Sequence, residues 1–232
     1  MIPDKAFYVN PQSVIGNKFY LDKDESNHAS RILRLKEKDE ICLLDGVGVG
    51  YHAVINSIDN KVSGTIIKTY QGLGENDYTI TLAPALIKRD RFELLLEKAT
   101  ELGVTDIQPL SLERSVKKTL NLERCQKIIT SSAKQCRRSQ FPILYKPLNM
   151  KSLLKKTNGL FISAVMGAKE PLSTLELFNN ITIIIGPEGD FTKNEIEQMK
   201  NANVLFYHLG ERRLRAETAA LNSLSILNEL LI

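Results

Sequence analysis

An α/β fold with a small β-rich domain in front of it is the architecture that this sequence predicts. In the first 70 residues, apolar and polar residues alternate in short runs, as they do in half-buried strands. Beyond them, apolar runs alternate with helical segments, which is the pattern of a largely parallel sheet. The polar, glycine-rich stretch Gln71–Asp77 separates the two patterns. We therefore predict one domain over residues 1–72 and a second over residues 73–232.

The N-terminal domain is predicted to consist mainly of strands. Alternation marks Ile41–Asp45, Tyr51–Ile58 and Val62–Tyr70, and a short helix is expected around Asp24–Leu33. The first two strands are separated by Gly46-Val-Gly-Val-Gly50, whose glycines resemble a dinucleotide loop. No helix follows to offer its N-terminus to a pyrophosphate, so we interpret this segment as a hairpin turn.

The C-terminal domain is predicted to form a parallel sheet with ligands at its carboxyl edge. A Thr-x-x-Glu capping box at Thr192–Glu195 starts one helix. The last helix, from Glu217 onward, carries an apolar stripe that must pack on the sheet or on another subunit. This stripe comprises Ala220, Leu224, Leu227 and Leu231. The predicted strands are Ile80–Ala83, Thr105–Pro109, Ile143–Tyr145, Leu160–Val165, Ile181–Ile185 and Leu205–Leu209.

Composition and missing motifs argue against several classes of function. The three cysteines form no CxxC pair and the three histidines lie in separate segments, so no metal site is predicted. The sequence shows no signal peptide and no apolar run of about 20 residues, so we expect a cytoplasmic protein without a membrane span. It also contains neither a P-loop nor the nucleophile elbow of serine hydrolases.

Positive charge is concentrated in one part of the chain. Residues 85–146 carry 13 Lys and Arg against 7 Asp and Glu, whereas the whole chain has a net charge of only +4. Clustered cations favour binding to phosphates, because each neutralised phosphate releases condensed counterions. A solvated helix face explains the same cluster equally well.

The segment Ile183–Thr192 places a buried strand, a Gly-Pro-Glu-Gly loop and a capped helix in succession. Gly186 and Gly189 permit the backbone to approach a ligand, and Pro187 stiffens the turn. Glu188 places a carboxylate at the carboxyl edge of the sheet. A tight turn with an ordinary surface glutamate is the competing interpretation.

The segment Leu209–Ala220 also follows a strand and contains a glycine, and three arginines are crowded into it. Crowded arginines repel one another unless anionic groups compensate them. Either the neighbouring Glu211 and Glu217 balance the charge, or an anionic substrate does. A charged, solvated helix start remains the alternative.

Further segments complete a recognisable set. The two glycine loops are Gly186-Pro-Glu-Gly189 and Leu209-Gly-x-Arg-x-Leu-Arg-x-Glu-Thr-Ala219. The other segments of the set are Lys88-x-x-Arg91, Lys98–Val104, Glu113–Ser115, Gln135-x-x-Arg138, Pro142 and, near the N-terminus, His28–Arg34 with Asp45-Gly46. In order and spacing these segments resemble the RsmE-type 16S rRNA uracil-N3 methyltransferases along almost the whole chain. The sequence departs from that family at Asp190 and Arg137, where the family usually has glycine.

The resemblance implies a C-terminal SPOUT methyltransferase domain with a trefoil knot, preceded by a small PUA-like β-barrel domain. Knots are rare among folds, and nothing in the periodicity indicates one. The resemblance also implies a homodimer, S-adenosylmethionine as the cofactor, and 16S rRNA within the 30S subunit as the substrate. The implied reaction is methylation at N3 of a specific uridine in the decoding region.

Methylation at N3 requires removal of a weakly acidic imide proton and alignment of the nitrogen with the sulfonium methyl group. Arg215 is our choice for the cation that stabilises the developing negative charge. Glu217 or Glu188 is expected to accept the proton or to hold Arg215 in place, and the sequence does not separate these two roles.

The cofactor is expected to lie along the glycine loops. The residues implied to bind it are Ala164, Val165, Gly186, Glu188, Gly189, Leu209, Gly210, Leu214 and Thr218. The residues implied to bind RNA are Arg34, Lys88, Arg91, Arg114 and Arg138, each of which could instead be a structural ion-pair partner. The target base must turn out of folded RNA to react.

Three alternatives belong to other classes or branches. A SPOUT enzyme could act on another rRNA or tRNA nucleotide. A non-enzymatic ribosome-associated protein would need only the PUA-like domain and a basic α/β domain, but it would have no need for the glycine loops. An α/β oxidoreductase would need a phosphate-binding loop after the first strand of its sheet, where this chain has Pro84-Ala-Leu-Ile-Lys88.

Overall fold

The computed structural model describes residues 2–156 and 159–231, which divide by their internal contacts into two units. The first unit is Met1–Glu75 with Thr130–Phe141, and the second is Asn76–Ile129 with Pro142–Ile232. The segment 130–141 thus joins the first unit although it comes from the middle of the chain, a return for which the sequence carries no signal. The boundary at residues 72 and 73 stays a prediction.

The first unit is a six-stranded sheet in the order β1-β4-β5-β6-β3-β2. All neighbouring strands are antiparallel except β1 and β4. The strands are β1 Ala6–Tyr8, β2 Val14–Ile15, β3 Lys18–Tyr20, β4 Glu40–Leu44, β5 Val49–Ser57 and β6 Ser63–Gln71. The three long strands confirm the predicted strand positions, although β4 is buried continuously over Ile41–Leu44 and does not alternate. The short strands β1 to β3 were not predicted because two or three residues show no periodicity.

The turn between β4 and β5 is the predicted hairpin. Gly46 and Gly48 have φ angles of 77° and 112°, a region that residues with a Cβ atom rarely adopt. Helix α1, Lys23–Asn27, continues as a π-helical turn, His28–Ile32. The carboxylate of Asp22 caps α1 by accepting the backbone N–H of Glu25 at 2.8 Å.

The second unit is a seven-stranded, wholly parallel sheet in the order β11-β13-β10-β12-β7-β8-β9. Its strands are β7 Thr79–Pro84, β8 Asp106–Ile107, β9 Ile143–Leu144, β10 Leu160–Ala164, β11 Glu170–Pro171, β12 Asn180–Ile185 and β13 Leu205–His208. The central strand β12 is buried throughout Ile181–Ile185, as strands covered on both faces are. The α/β class with a β-rich unit before it is therefore confirmed. The trefoil knot stays a prediction.

The remaining helices are α2 Arg89–Glu101, α3 Leu122–Cys136, α4 Met150–Leu154, α5 Lys193–Asn201 and α6 Ala216–Leu230. The predicted capping box is confirmed at α5, where Thr192 and Glu195 exchange backbone and side-chain hydrogen bonds. In α6 the stripe of Ala220, Leu224 and Leu227 is fully buried within the chain, and the helix packs on α2 and β12. The stripe therefore belongs to the core of this unit.

Within the described residues, no helix has the length and apolar character needed to cross a membrane. The same residues bring together no group of three His, Cys, Asp or Glu side chains suited to a metal ion.

Candidate cofactor and substrate cavity

A cavity of about 660 Å³ opens at the carboxyl ends of three neighbouring strands, β13, β10 and β12. Its size falls within the range of small-molecule sites, and its position is the one that ligands take in parallel sheets. Because these strands are adjacent in the sheet, the loops that follow them meet at one place. The predicted cofactor residues that line the cavity are Ala164, Val165, Gly186, Glu188, Leu209, Gly210 and Leu214.

The loop after β12 is held in one conformation by local bonds. The backbone N–H of Asp190 donates to the carbonyl of Pro187 at 2.9 Å, and the Asp190 carboxylate accepts the N–H of Phe191 at 2.8 Å. A Cβ atom on Gly186 would lie 3.0 Å from the Phe191 ring, so a side chain at Gly186 would crowd that ring. The loop therefore presents Glu188 to the cavity from a fixed backbone.

Two arginines hold this loop through hydrogen bonds to its backbone carbonyls. The guanidinium of Arg114 donates to the carbonyl of Gly189 at 3.0 Å and to that of Phe191 at 3.4 Å. Arg213 donates to the carbonyl of Glu188 at 3.1 Å. Arg114, which the sequence predicted as an RNA contact, thus has a structural role within the second unit.

The conformation of the loop after β13 is set by a glycine, and its position is set by a hydrogen bond that holds β13 to α6. Gly210 has φ 91°, and its N–H donates to Nδ1 of His208 at 3.1 Å. On the opposite face of β13, the hydroxyl of the fully buried Tyr207 bonds to Ser223 of α6 at 2.7 Å. Burial raises the pKa of Tyr207 well above its ordinary value, so this side chain stays protonated and fixes β13 to α6.

Arg91 connects the two carboxylates that the sequence predicted as catalytic. Its Nη1 donates to Oε1 of Glu188, and its Nε lies 3.7 Å from Oε1 of Glu217. Glu188 lines the cavity, whereas Glu217 is 7% exposed and does not line it. The second oxygen of Glu217 is buried and has no hydrogen-bond partner among the described residues. Arg91 was predicted as an RNA contact; the structure places it in the cavity wall.

The cavity is electropositive. Among the described residues that line it, the arginines outnumber the two carboxylates, Glu188 and Asp190. Arg215 is exposed and sits at the N-cap of α6. An electropositive mouth suits a polyanionic substrate. The lining arginines are Arg91, Arg212, Arg213 and Arg215.

Some predicted residues lie elsewhere. Gly189 and Thr218 are outside the cavity lining, and Lys88 is exposed just before α2. Arg34 is exposed in the first unit with φ 51°. Arg138 is 3% exposed, and its guanidinium donates to Glu75 at 2.7 Å. A buried, paired guanidinium does not reach a phosphate, so the structure corrects the prediction of an RNA contact at Arg138.

Several residues that line the cavity were not predicted from the sequence, although each stands one or two positions from a predicted one. Pro187, Phe191 and Arg213 lie inside the two loops that were singled out, and His208 ends the strand before the second loop. Their position in the sequence could have identified them, because residues that directly follow the neighbouring parallel strands β10, β12 and β13 lie at the same edge of the sheet. The further lining residues are Met166, Ile185, Asp190, Arg212, Ala216 and Ala219.

Two family models match the chain, and together they define its class. One, described as RNA methyltransferase domain, matches residues 74–228, and the other, described as RNA methyltransferase PUA domain, matches residues 21–67. The fold and the cavity thus belong to an RNA methyltransferase domain preceded by a PUA domain.

The similar proteins narrow this class. Ribosomal RNA small subunit methyltransferase E of Rickettsia conorii is 34% identical over 94% of this chain and 92% of that protein. The Synechocystis protein of the same name is 33% identical over 96% of this chain and 77% of that protein. The chain belongs to the ribosomal RNA small subunit methyltransferase E family, and the resemblance read from its motifs is confirmed.

Solved structures agree with this assignment. The crystal structure of ribosomal RNA small subunit methyltransferase E from Neisseria gonorrhoeae, bound to S-adenosyl methionine, has a TM-score of 0.91 at 27% identity and covers 97% of each chain. A putative methyltransferase from Legionella pneumophila, in complex with the same cofactor, has a TM-score of 0.84 at 27% identity, over 99% of this chain and 98% of that one.

Proposed function

We propose that this protein transfers a methyl group from S-adenosylmethionine to N3 of a specific uridine in the decoding region of 16S rRNA, acting on the 30S subunit in the cytoplasm. The observation that carries the proposal is the electropositive cavity at the joined ends of β13, β10 and β12. Family membership supports the reaction class, and the cofactor named in the two solved structures supports the choice of methyl donor.

The residues of the cavity fit the cofactor. Apolar side chains at Ala164, Val165, Leu209 and Leu214 suit an adenine ring and a thioether chain, and the glycine loops expose backbone groups that can bond to its polar atoms. When bound, the cofactor supplies an electrophilic methyl group on a sulfonium. Gly189 and Thr218, which do not line the cavity, would contribute only through the loop and the helix that carry them.

The side chains that face the cavity divide the remaining work. We propose that Glu188 accepts the imide proton, because it lines the cavity while Glu217 does not. Glu217 is proposed to hold Arg91, which lies 3.7 Å away. Arg215, exposed at the cavity mouth, is proposed to face the carbonyl oxygens of the base. Lys88 and Arg34 are proposed to contact the phosphates of the RNA.

A homodimer is part of the proposal and rests on the family resemblance. The apolar stripe of α6 is not available for such an interface, because Ala220, Leu224 and Leu227 are buried within the chain. Sedimentation of the purified protein would measure its assembly.

The test is methyl transfer from radiolabelled S-adenosylmethionine to 30S subunits taken from cells that lack the endogenous activity, followed by nucleoside analysis. We expect label in 3-methyluridine. Ala164→Phe, which fills the cavity from the end of β10, is expected to abolish cofactor binding and transfer, whereas Ala164→Ser at the same position should retain both. Label in another nucleoside would contradict the assignment of the target. RNA binding by folded protein that neither binds the cofactor nor transfers a methyl group would favour a non-enzymatic role.

A further inference from the structure

Arg91 is the most firmly held cation of the cavity wall. It lies in the first turn of α2, its Nη1 donates a hydrogen bond to Glu188, and its Nε lies 3.7 Å from Glu217, at ion-pair distance. Nη2 is left without a hydrogen-bond partner among the described residues. The side chain is 29% exposed and lines the cavity.

The other cavity arginines lack this double support. Arg213 is committed to the carbonyl of Glu188 and braces the loop. Arg212 and Arg215 are exposed, and no carboxylate pairs with either of them among the described residues. Stabilisation of a developing charge is largest when the donor is already oriented, because no reorganisation is then needed during the reaction. By that criterion Arg91, which is already oriented by its contacts, is better suited than Arg215 to stabilise the developing charge.

We infer that Arg91 is a further catalytic residue, whose Nη2 donates to the uracil carbonyl oxygen adjacent to N3 and pairs with the negative charge that appears when N3 loses its proton. This inference rests on the proposed function. It assigns Glu217, whose carboxylate is buried behind Arg91, as a positioning residue that acts through the guanidinium.

The charges balance along this route. Before the reaction, Arg91 contacts the carboxyl groups of Glu188 and Glu217. As the N3 proton moves to Glu188, negative charge leaves that carboxylate and appears on the uracil imide, next to the same guanidinium. The N3 electron pair then forms the new N–C bond, and the C–S bond electrons return to sulfur. Arg91 is thus never left without an anionic partner, and Glu217 keeps it in place throughout.

The test compares Arg91→Lys, Arg91→Gln, Arg215→Gln and the control Arg89→Gln on the full-length protein. Arg89 lies two residues before Arg91, is exposed, and pairs only with Glu93 on its own helix. Because Arg91→Gln leaves buried Glu217 without its cation, the double variant Arg91→Gln/Glu217→Gln is included to preserve folding. Cofactor affinity by calorimetry, 30S affinity, and single-turnover methyl transfer across pH are measured for each variant.

We expect Arg91→Lys and the double variant to lose about 100-fold in the transfer rate, with cofactor and 30S affinities close to those of the unmodified protein. The double variant loses the cation that favours the deprotonated imide, so the rising limb of its pH–rate profile should move to higher pH, whereas Arg91→Lys keeps a positive charge and should shift that limb less. The other charged or titratable groups lining the cavity, which are unchanged in these variants, are Glu188, Asp190, His208, Arg212, Arg213 and Arg215. Arg215→Gln removes an exposed cation that is also proposed to face the base, and because no carboxylate holds that side chain among the described residues, it should lower the transfer rate less than the Arg91 variants do.

Several results would overturn the inference. A loss confined to 30S affinity would make Arg91 an RNA contact, and a rate that falls equally at every pH would make it structural. An unchanged rate in the double variant would exclude it from the reaction. If the unmodified protein and Arg89→Gln transfer no methyl group to 30S subunits, the proposed function fails instead, which separates the two conclusions.

Discussion

Two residues adopt left-handed backbone at positions where the resembled family usually has glycine. Arg137 has φ 60° and Asp190 has φ 65°. A Cβ atom in this region meets the following carbonyl oxygen, at a cost of about 1–2 kcal/mol, which glycine avoids. Asp190 offsets part of that cost because its carboxylate accepts the N–H of Phe191 at 2.8 Å. The guanidinium of Arg137 pairs with the highly exposed carboxylate of Asp4, which offers little compensation.

We predict that Arg137→Gly raises the free energy of unfolding by about 0.5 kcal/mol, since relief of the left-handed strain exceeds the extra entropy of glycine in the unfolded chain. Asp190→Gly should change it by less. Urea denaturation measures both. Arg137→Ala is the matched control, because it removes the guanidinium but keeps the Cβ atom, and it should bring no gain. A gain in Arg137→Ala as large as that in Arg137→Gly would show that strain is not the cause.

The sequence predicted those site residues whose position depends on their neighbours along the chain. Gly186, Glu188 and Gly210 could be placed at the cavity because each lies within three residues of the end of a strand. The pairing of Arg91 with Glu188 joins residues 97 positions apart, and that of Arg138 with Glu75 joins residues 63 apart. No local pattern encodes such contacts, so the sequence showed neither that Arg91 pairs with Glu188 in the cavity wall nor that Arg138 is buried against Glu75.

The starts of α2 and α3 are tied together by one carboxylate. Glu93 accepts hydrogen bonds from Arg124 at 2.6 Å and from Arg89 at 2.8 Å. These bonds, with that from Arg124 the stronger, lower the pKa of Glu93 from 4.5 to about 2. Because the folded-state pKa is the lower one, the stabilisation is complete above the unfolded value and is lost as the pH falls toward the folded value.

We therefore expect Glu93→Gln to be less stable than the unmodified protein at pH 6, with the difference shrinking between pH 4.5 and about 2. Thermal unfolding of both proteins across this interval measures it. A difference that stays constant down to pH 2.5 would mean that the carboxylate charge contributes nothing to the link between the two helices.

Elements were predictable to the extent that they are long. The strands β4, β5, β6 and β12 carry enough residues to show a period or a buried run. The run Thr105–Pro109 shortens to Asp106–Ile107, and Glu170–Pro171 was not predicted at all. In both cases sheet pairing with neighbours distant in sequence, and not local propensity, defines the strand.

On the scale of the whole molecule, clustered charge is expected to control RNA affinity through salt. Lys88 is exposed, whereas Arg138 is buried against Glu75. We predict that Lys88→Gln reduces the slope of log affinity against log salt by about 0.7–0.9 for 16S rRNA, as loss of one phosphate contact does.

Arg138→Gln should leave that slope unchanged and instead lower the free energy of unfolding by about 3 kcal/mol, because Glu75 loses its partner. Filter binding across salt concentrations and urea denaturation separate the two effects. A reduced slope for Arg138→Gln would restore it as an RNA contact.

The return of residues 130–141 to the first unit has a consequence for synthesis on the ribosome. Ala133 and Phe141 pack with the buried Cys42 and Leu44, so these strand residues lack part of their cover until the chain has grown past Phe141. At about 5–20 residues per second, the nascent N-terminal segment waits several seconds with that apolar surface open. A fragment ending near residue 75 would keep the same surface open permanently, and it would be a poor substitute for the intact unit in studies of RNA binding.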